Sequence, residues 1–303
     1  MSGTPSLAFL DEPVAMRPLA WLRVPVGLIA AYYLQEVFRD GLAGRTYHDV
    51  FHRPYLPWLP DLPPALFTVV MGVGVVAALA MAVGLWPRVT TKVTLAVVVY
   101  HLLLSATHVH HNRTYLAIGL GVLAVAPYRA DAVAPAWPLW LLRVECSVVY
   151  AASGVSKLLD PDWVGGTVTW LRVVHQEGQV RASVLPGWVV DLVLDRGAHR
   201  WFAPGIVATE LAIALGPWFR RTRPWALGLA VLFHVLIELT SRVETFSYLA
   251  LSVILLIWLP QVERVGRACV GRTYVRYSRD GVQQPGVDVA AVGTRPVRPR
   301  PGA

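Results

Sequence analysis

The sequence predicts an all-α integral membrane helical bundle of about eight transmembrane helices, with the N and C termini cytoplasmic. Three observations predict it. Only 15% of the 303 residues are charged, against roughly 25% in soluble chains, and 55% are hydrophobic. Mean hydropathy is +0.50. The apolar residues also gather in runs near the ~20 residues that cross a bilayer as helix. Those runs are uniformly apolar and do not alternate with period two as barrel strands do. A soluble cytosolic enzyme and a disordered scaffold are excluded on the same grounds.

Eight apolar segments follow in order: Pro18–Phe38, Ala65–Trp86, Val89–Ala106, Tyr115–Pro127, Trp137–Leu158, Ala203–Phe219, Pro224–Thr240 and Phe246–Pro260. Residues 1–16 carry Asp11 and Glu12 and no basic start, so the first segment is expected to be an uncleaved anchor. The fourth is the shortest, and the charge pattern keeps it as a span. With eight spans, one side receives Arg17, Arg88, Lys92, Arg129, the cluster Arg220, Arg221 and Arg223, and a tail with eight arginines. The other side receives Arg39–Pro64 and Leu159–Phe202, where acids balance arginines. The positive-inside rule then puts both termini in the cytoplasm. The expected organisation is a cytoplasmic segment 1–16, a transmembrane domain 17–260 and a basic, disordered tail 261–303. The tail serves as an orientation signal or as a contact for anionic lipid. The formal charge of +8 is thereby explained by topology, with the lipid bilayer as partner and no nucleic acid.

Ionisable groups inside spans are costly and mark sites or buried pairs. His101, Lys157, Glu210, His234 and Glu238 all fall in the outer half, and His234 and Glu238 share a helical face. The outer loop His108-Val109-His110-His111-Asn112-Arg113 lies at the same level. Arg23, Arg143 and Glu145 form an inner group, read as structural pairs. Along the fifth segment Arg143, Ser147, Tyr150, Gly154 and Lys157 make a polar stripe on one helical face. The stripe fits a helix–helix seam or a ligand-facing surface, and Ser153 and Gly154 permit close approach by either. Lys157 departs from the composition, since the chain has 25 arginines and only two lysines. A desolvated lysine can act as a base where arginine cannot, although a lysine at a span end can also snorkel to the interface.

Other constellations carry less chemistry. His48-Asp49-x-x-His52 has a zinc-like spacing but no third ligand, and it lies among Pro54, Pro57 and Pro60. His108, His110 and His111 fit a loose metal site or a polar cap that positions a carboxylate with Arg113. No metal is expected. Asp160 and Asp162 stabilise or relay a proton for Lys157, or simply make a helix-end turn, and Trp163 suits an interfacial anchor. Cys146 and Cys269 lie far apart and form no redox motif. No phosphate loop or Ser-His-Asp arrangement is readable.

Tyr150-Ala-Ala-Ser-Gly-Val-Ser-Lys157-Leu-Leu-Asp160-Pro-Asp162-Trp163-Val-Gly165-Gly166 resembles the motif of the vitamin K-dependent gamma-carboxylases and their bacterial relatives, the horizontally transferred transmembrane (HTTM) domain proteins. There a helix ending Tyr-Phe-x-x-Gly-x-x-Lys-Leu is followed by Asp-Trp. Asn112-Arg113-Thr114-Tyr115-Leu116 is similar to the family's Asn-His-x-Tyr-Leu, with Arg113 in place of the histidine. Pro138-Leu139-Trp140, Phe233-His234, Phe246-Ser247-Tyr248 and Arg17-Pro-Leu-Ala-Trp-Leu-Arg23 agree in order and spacing. The resemblance covers about residues 15–260.

The resemblance implies a quinol-dependent carboxylase or epoxidase. Lys157 would be the base, with His234 as a second catalytic residue. Asn112, Arg113, Tyr150, Asp160, Asp162, Trp163, Glu210 and Glu238 would bind substrate or cofactor. Reduced menaquinone or vitamin K hydroquinone would be the cofactor, O2 and CO2 co-substrates, and a glutamate of a secreted peptide or protein on the outer side the acceptor. The expected location is the bacterial cell membrane. The animal carboxylases continue into a large lumenal domain, whereas here a basic tail follows the bundle. That difference favours the competing reading, a non-enzymatic factor binding a secreted peptide during maturation or export. A small-molecule transporter is a third reading; the one-sided clustering of polar groups speaks against it.

Overall fold

A computed structural model of the protein describes residues 7–45, 53–241, 243 and 245–258. The His48-Asp49-x-x-His52 segment and the basic tail 261–303 lie outside the described residues. Each of the eight apolar segments is a helix. They are α1 Arg17–Leu42, α2 Pro64–Ala82, α3 Pro87–Leu104, α4 His111–Val125, α5 Trp137–Leu158, α10 His199–Leu215, α11 Arg223–Thr240 and α12 Phe246–Trp258. Between α5 and α10 lie four short helices, α6 Pro161–Val164, α7 Thr167–His175, α8 Glu177–Arg181 and α9 Gly187–Leu194. Two of the long helices, α2 and α11, are long and apolar enough to cross a membrane on their own.

Proline fixes several helix starts. It occupies the first turn of α1, α2, α3, α5, α6 and α11, where the missing N–H has no intrahelical partner to lose. Pro25 and Pro204 sit inside α1 and α10, a placement common in membrane helices and rare in soluble ones. A three-residue ribbon, β1 Pro13–Ala15 against β2 Val133–Pro135, runs antiparallel with Val14 opposite Ala134. It ties the chain before α1 to the chain before α5.

The helix α1 packs against α2, α4 and α12, while α5 packs against α10 and α12. The main core runs through all eight long helices, with Tyr150, Trp258 and Phe67 among its fully buried side chains. A second, small cluster of Val173, Val180 and Val190 holds α7, α8 and α9 together. The distribution of polarity is inverted relative to a soluble fold. Val76, Val148 and Leu232 on the helix exteriors are more than half exposed, whereas Glu210 and His234 are at most 5% exposed. Apolar outside and polar inside is the pattern a lipid solvent selects.

Two departures from the sequence reading bear on the site. The segment His108–Arg113, expected as a loop, splits: His110 caps α4 and His111 to Arg113 form its first turn. The stretch 159–202, which the sequence only places between two spans, is mostly helical. The inner group, expected as structural pairs, forms no ion pair among the described residues: both carboxylate oxygens of Glu145 are buried without a hydrogen-bond partner there, and the arginines reach main-chain carbonyls instead. Arg23 Nη2 donates to Leu123, Ala126 and Pro127 at 2.9, 3.2 and 3.3 Å, and Arg143 Nη2 donates to Ile257 at 3.1 Å.

Candidate functional site

The stripe on α5 is a seam along its whole length. Arg143 meets α12, and the indole N–H of Trp218 donates to Ser147 Oγ at 2.7 Å. Tyr150 meets His234 of α11. Gly154 lies against α10, where an added Cβ would stand 3.0 Å from Leu211 Cδ2. Lys157 meets Glu210 of α10.

The lysine end of this seam is a compact hydrogen-bonded unit. Lys157 Nζ donates to Glu210 Oε1 and, at 2.9 Å, to Ser153 Oγ. Ser153 Oγ donates to the same Glu210 oxygen at 3.1 Å. The Lys157 side chain is 17% exposed and that of Glu210 only 6%. Glu210 Oε2 is buried with no hydrogen-bond partner among the described residues. In a weakly polar medium such a pair can be held either as ammonium and carboxylate or, after one proton moves along the bond, as amine and carboxylic acid.

A turn beyond α5 places an aromatic ring beside the ammonium. Asp160 Oδ1 accepts from the N–H groups of Asp162 and Trp163 at 2.9 and 3.4 Å, capping α6. The Trp163 ring then lies 4.8 Å from Lys157 Nζ and 5.3 Å from Arg172 Cζ. Gly166 adopts φ +84° and abuts the backbone of His199, an approach a side chain would block. His199 is buried and bonds Thr169 Oγ1 at 3.0 Å and the Val193 carbonyl at 2.7 Å, fastening α7 and α9 to α10.

Tyr150 and His234 form a second centre, one to two turns from the lysine on the same face of α5. The phenol and His234 Nε2 are hydrogen-bonded, both residues are at most 1% exposed, and His234 Nδ1 has no partner among the described residues. Phe246 closes this centre, its ring 6.2 Å from Tyr150 and 5.7 Å from His234.

Asn112 and Arg113 belong to a third cluster. Arg113 Nη1 donates to the His108 carbonyl at 3.2 Å, and its Cζ lies 5.2 Å from the Tyr33 ring. Tyr33 is hydrogen-bonded to His101, whose ring stacks on His108 at 4.2 Å. Asn112 is buried beside them in the first turn of α4. Glu238 closes the end of α11: its carboxylate accepts from Val243 N–H at 3.5 Å, and its carbonyl accepts from Gln179 at 2.7 Å. Of the sequence-derived residues, Lys157, Glu210, Asp160 and Trp163 therefore come together, with Asp162 exposed on the capping turn. Tyr150 and His234 make a pair of their own. The sequence reading gives Ser153 and Arg172 no polar role. Ser153, four residues before Lys157, was readable from helical spacing; Arg172 had no signal.

Among the described residues no group of three His, Cys, Asp or Glu side chains converges as metal ligands would. A cavity of about 520 Å³ opens beside Arg172, lined also by Val168, Leu171, His175, Gln176 and Ser241. In comparisons with known proteins, a family model described as HTTM domain matches residues 12–261. No solved structure matches the chain.

Proposed function

The chain belongs to the HTTM domain family, membrane proteins related to the vitamin K-dependent carboxylases, and on that premise we propose that it is a quinol-dependent carboxylase-like enzyme in which Lys157 is the base. The observation that carries the proposal is the Lys157–Glu210–Ser153 unit, a lysine held at a helix end by a carboxylate with one unfilled oxygen. The eight long helices are assigned as spans, with both termini in the cytoplasm of a bacterial cell. Support comes from the asymmetry of arginines and from the apolar helix exteriors. Lys157 then faces the outer side.

To act as a base, Lys157 must first be neutral. The bond to Glu210 Oε1 gives its proton somewhere to go, and Ser153 Oγ holds the amine in place during the transfer. A reduced quinone, when bound, supplies an acidic ring hydroxyl and, with O2, the strong base that carboxylation of a peptide glutamate by CO2 requires. The residues fit a flat hydroxylated ring: Lys157 is partly accessible, Glu210 Oε2 can accept a further hydrogen bond, and Trp163 offers an aromatic wall.

The cavity beside Arg172 favours a second reading, a factor that binds a secreted peptide without catalysis. One experiment separates them. Purified protein in lipid discs receives reduced menaquinone and O2, and quinone epoxide is sought by mass spectrometry with wild type and Lys157→Ala. Epoxide from the wild type alone is expected. Equal epoxide from both removes Lys157 from the mechanism. None from folded wild type, with a peptide retained regardless of Lys157, leaves the binding factor.

A further inference from the structure

At the end of the bundle that carries Arg17 and Arg88, a cavity of about 400 Å³ opens between α1, the α2–α3 turn and the chain after α4. Its walls are apolar: Ala20 and Val24 of α1, Met81 and Ala82 of α2, and Val83 beyond it. Arg23 forms part of the lining and is only 4% exposed. One of its terminal nitrogens is occupied by the carbonyls at the end of α4, which accounts for a structural role. Nε and Nη1 are buried with no acceptor among the described residues. Guanidinium N–H groups left without acceptors in a dry environment are costly, so the pattern calls for a partner.

The partner's chemistry follows from the surroundings. Tyr128 lines the cavity, and the Arg88 guanidinium lies 4.3 Å over its ring. Pro87, also in the lining, opens the eighteen-residue helix α3, whose N-terminal N–H groups add positive potential. None of the lining residues is acidic, and the nearby Asp131 is engaged by Arg129 through two bonds of 2.9 and 2.7 Å. A ligand here is anionic and rich in oxygen acceptors. It also has an apolar part, because Val24 and Val83, 45% and 80% exposed, carry the apolar wall onto the lipid-facing surface.

We propose that this cavity binds the phosphate headgroup of an anionic phospholipid, with Arg23 as its buried ligand. The phosphate is the shared chemistry of a lipid headgroup and of free phosphate, and the test separates the two. Full-length protein in detergent is incubated with phosphatidylglycerol or with phosphatidylcholine and read by native mass spectrometry. Wild type is expected to retain phosphatidylglycerol about tenfold better. Val24→Trp, which fills the cavity and leaves the Arg23 bonds alone, and Arg23→Gln are each expected to abolish that preference. Excess inorganic phosphate that fails to displace the lipid identifies the headgroup as the ligand; displacement identifies the free anion. Equal retention of the two lipids by wild type overturns the proposal. So does undiminished phosphatidylglycerol binding by a Val24→Trp protein that melts like wild type. If Arg23→Gln does not fold, the other two comparisons decide.

Discussion

Lys157 of α5 and Glu210 of α10 form the ion pair that joins the two helices, with Ser153 Oγ bonded to both. Removing one partner of a buried pair strands the other charge, at a cost of about 3–5 kcal/mol, whereas removing both is far cheaper. Lys157→Met and Glu210→Gln are therefore each expected to lower the melting temperature in lipid discs. The double variant Lys157→Met/Glu210→Gln should melt well above the value expected from the sum. Additive losses would mean that the pair is not coupled in the folded protein.

The Tyr150–His234 pair predicts a separate cycle. Tyr150→Phe leaves a fully buried imidazole without a partner at either nitrogen, which costs about 1–3 kcal/mol. His234→Leu in the Tyr150→Phe background should cost less than in wild type. Combined with Lys157→Met, each should be additive, because the two centres share no hydrogen bond among the described residues. Strong non-additivity between Tyr150 and Lys157 would show the two centres to be one.

A single sequence speaks to depth along an apolar run and not to azimuth around the bundle. The sequence places His101, Lys157, Glu210, His234 and Glu238 at one level, because position along an apolar run sets the expected height in the bundle. Which of them meet depends on how the helices are arranged around the axis, and nothing in a single sequence encodes that. Lys157 finds Glu210, His234 finds Tyr150, and His101 finds Tyr33. The long helices were legible because their apolar runs are unbroken. The short helices α6 to α9 were not. They are held by local devices, the Asp160 cap and the Gly166 turn, and by a cluster of only a few valines. The Asp160-Pro161-Asp162 turn was readable as one of two alternatives, and the structure spends the Asp160 carboxylate on the cap.

Gly154 predicts a packing effect that reaches the lysine. A Cβ there would sit 3.0 and 3.1 Å from Leu211 Cδ2 and Cγ, so a branched side chain fits only when Leu211 gives way or α10 moves off α5. Gly154→Val is expected to cost about 1–3 kcal/mol as overpacking and to loosen the Lys157–Glu210 bond one turn on. Leu211→Ala supplies room and should restore part of the melting temperature. Failure of Leu211→Ala to rescue would place the strain elsewhere.

The assignment of eight spans makes the chain's two ends and its short helices answer differently to a reagent that cannot cross the membrane. Ala182, at the exposed end of α8, is expected outside the cell, and Cys269 of the tail inside. Cys146 is buried and gives little background. A bulky charged maleimide applied to intact cells should label Ala182→Cys and leave Cys269 untouched until the cells are permeabilised. Labelling of both positions in intact cells would mean an even number of spans between Ala182 and Cys269, where the assignment has three, α10, α11 and α12. The shortest of those three, α12 with 13 described residues, would then be the first to lose its assignment as a span. Labelling of Cys269 without Ala182→Cys would instead invert the bundle and move Lys157, which lies on the Ala182 side of α10, to the cytoplasmic side, away from any secreted acceptor, so this measurement also bears on which peptide the site can reach.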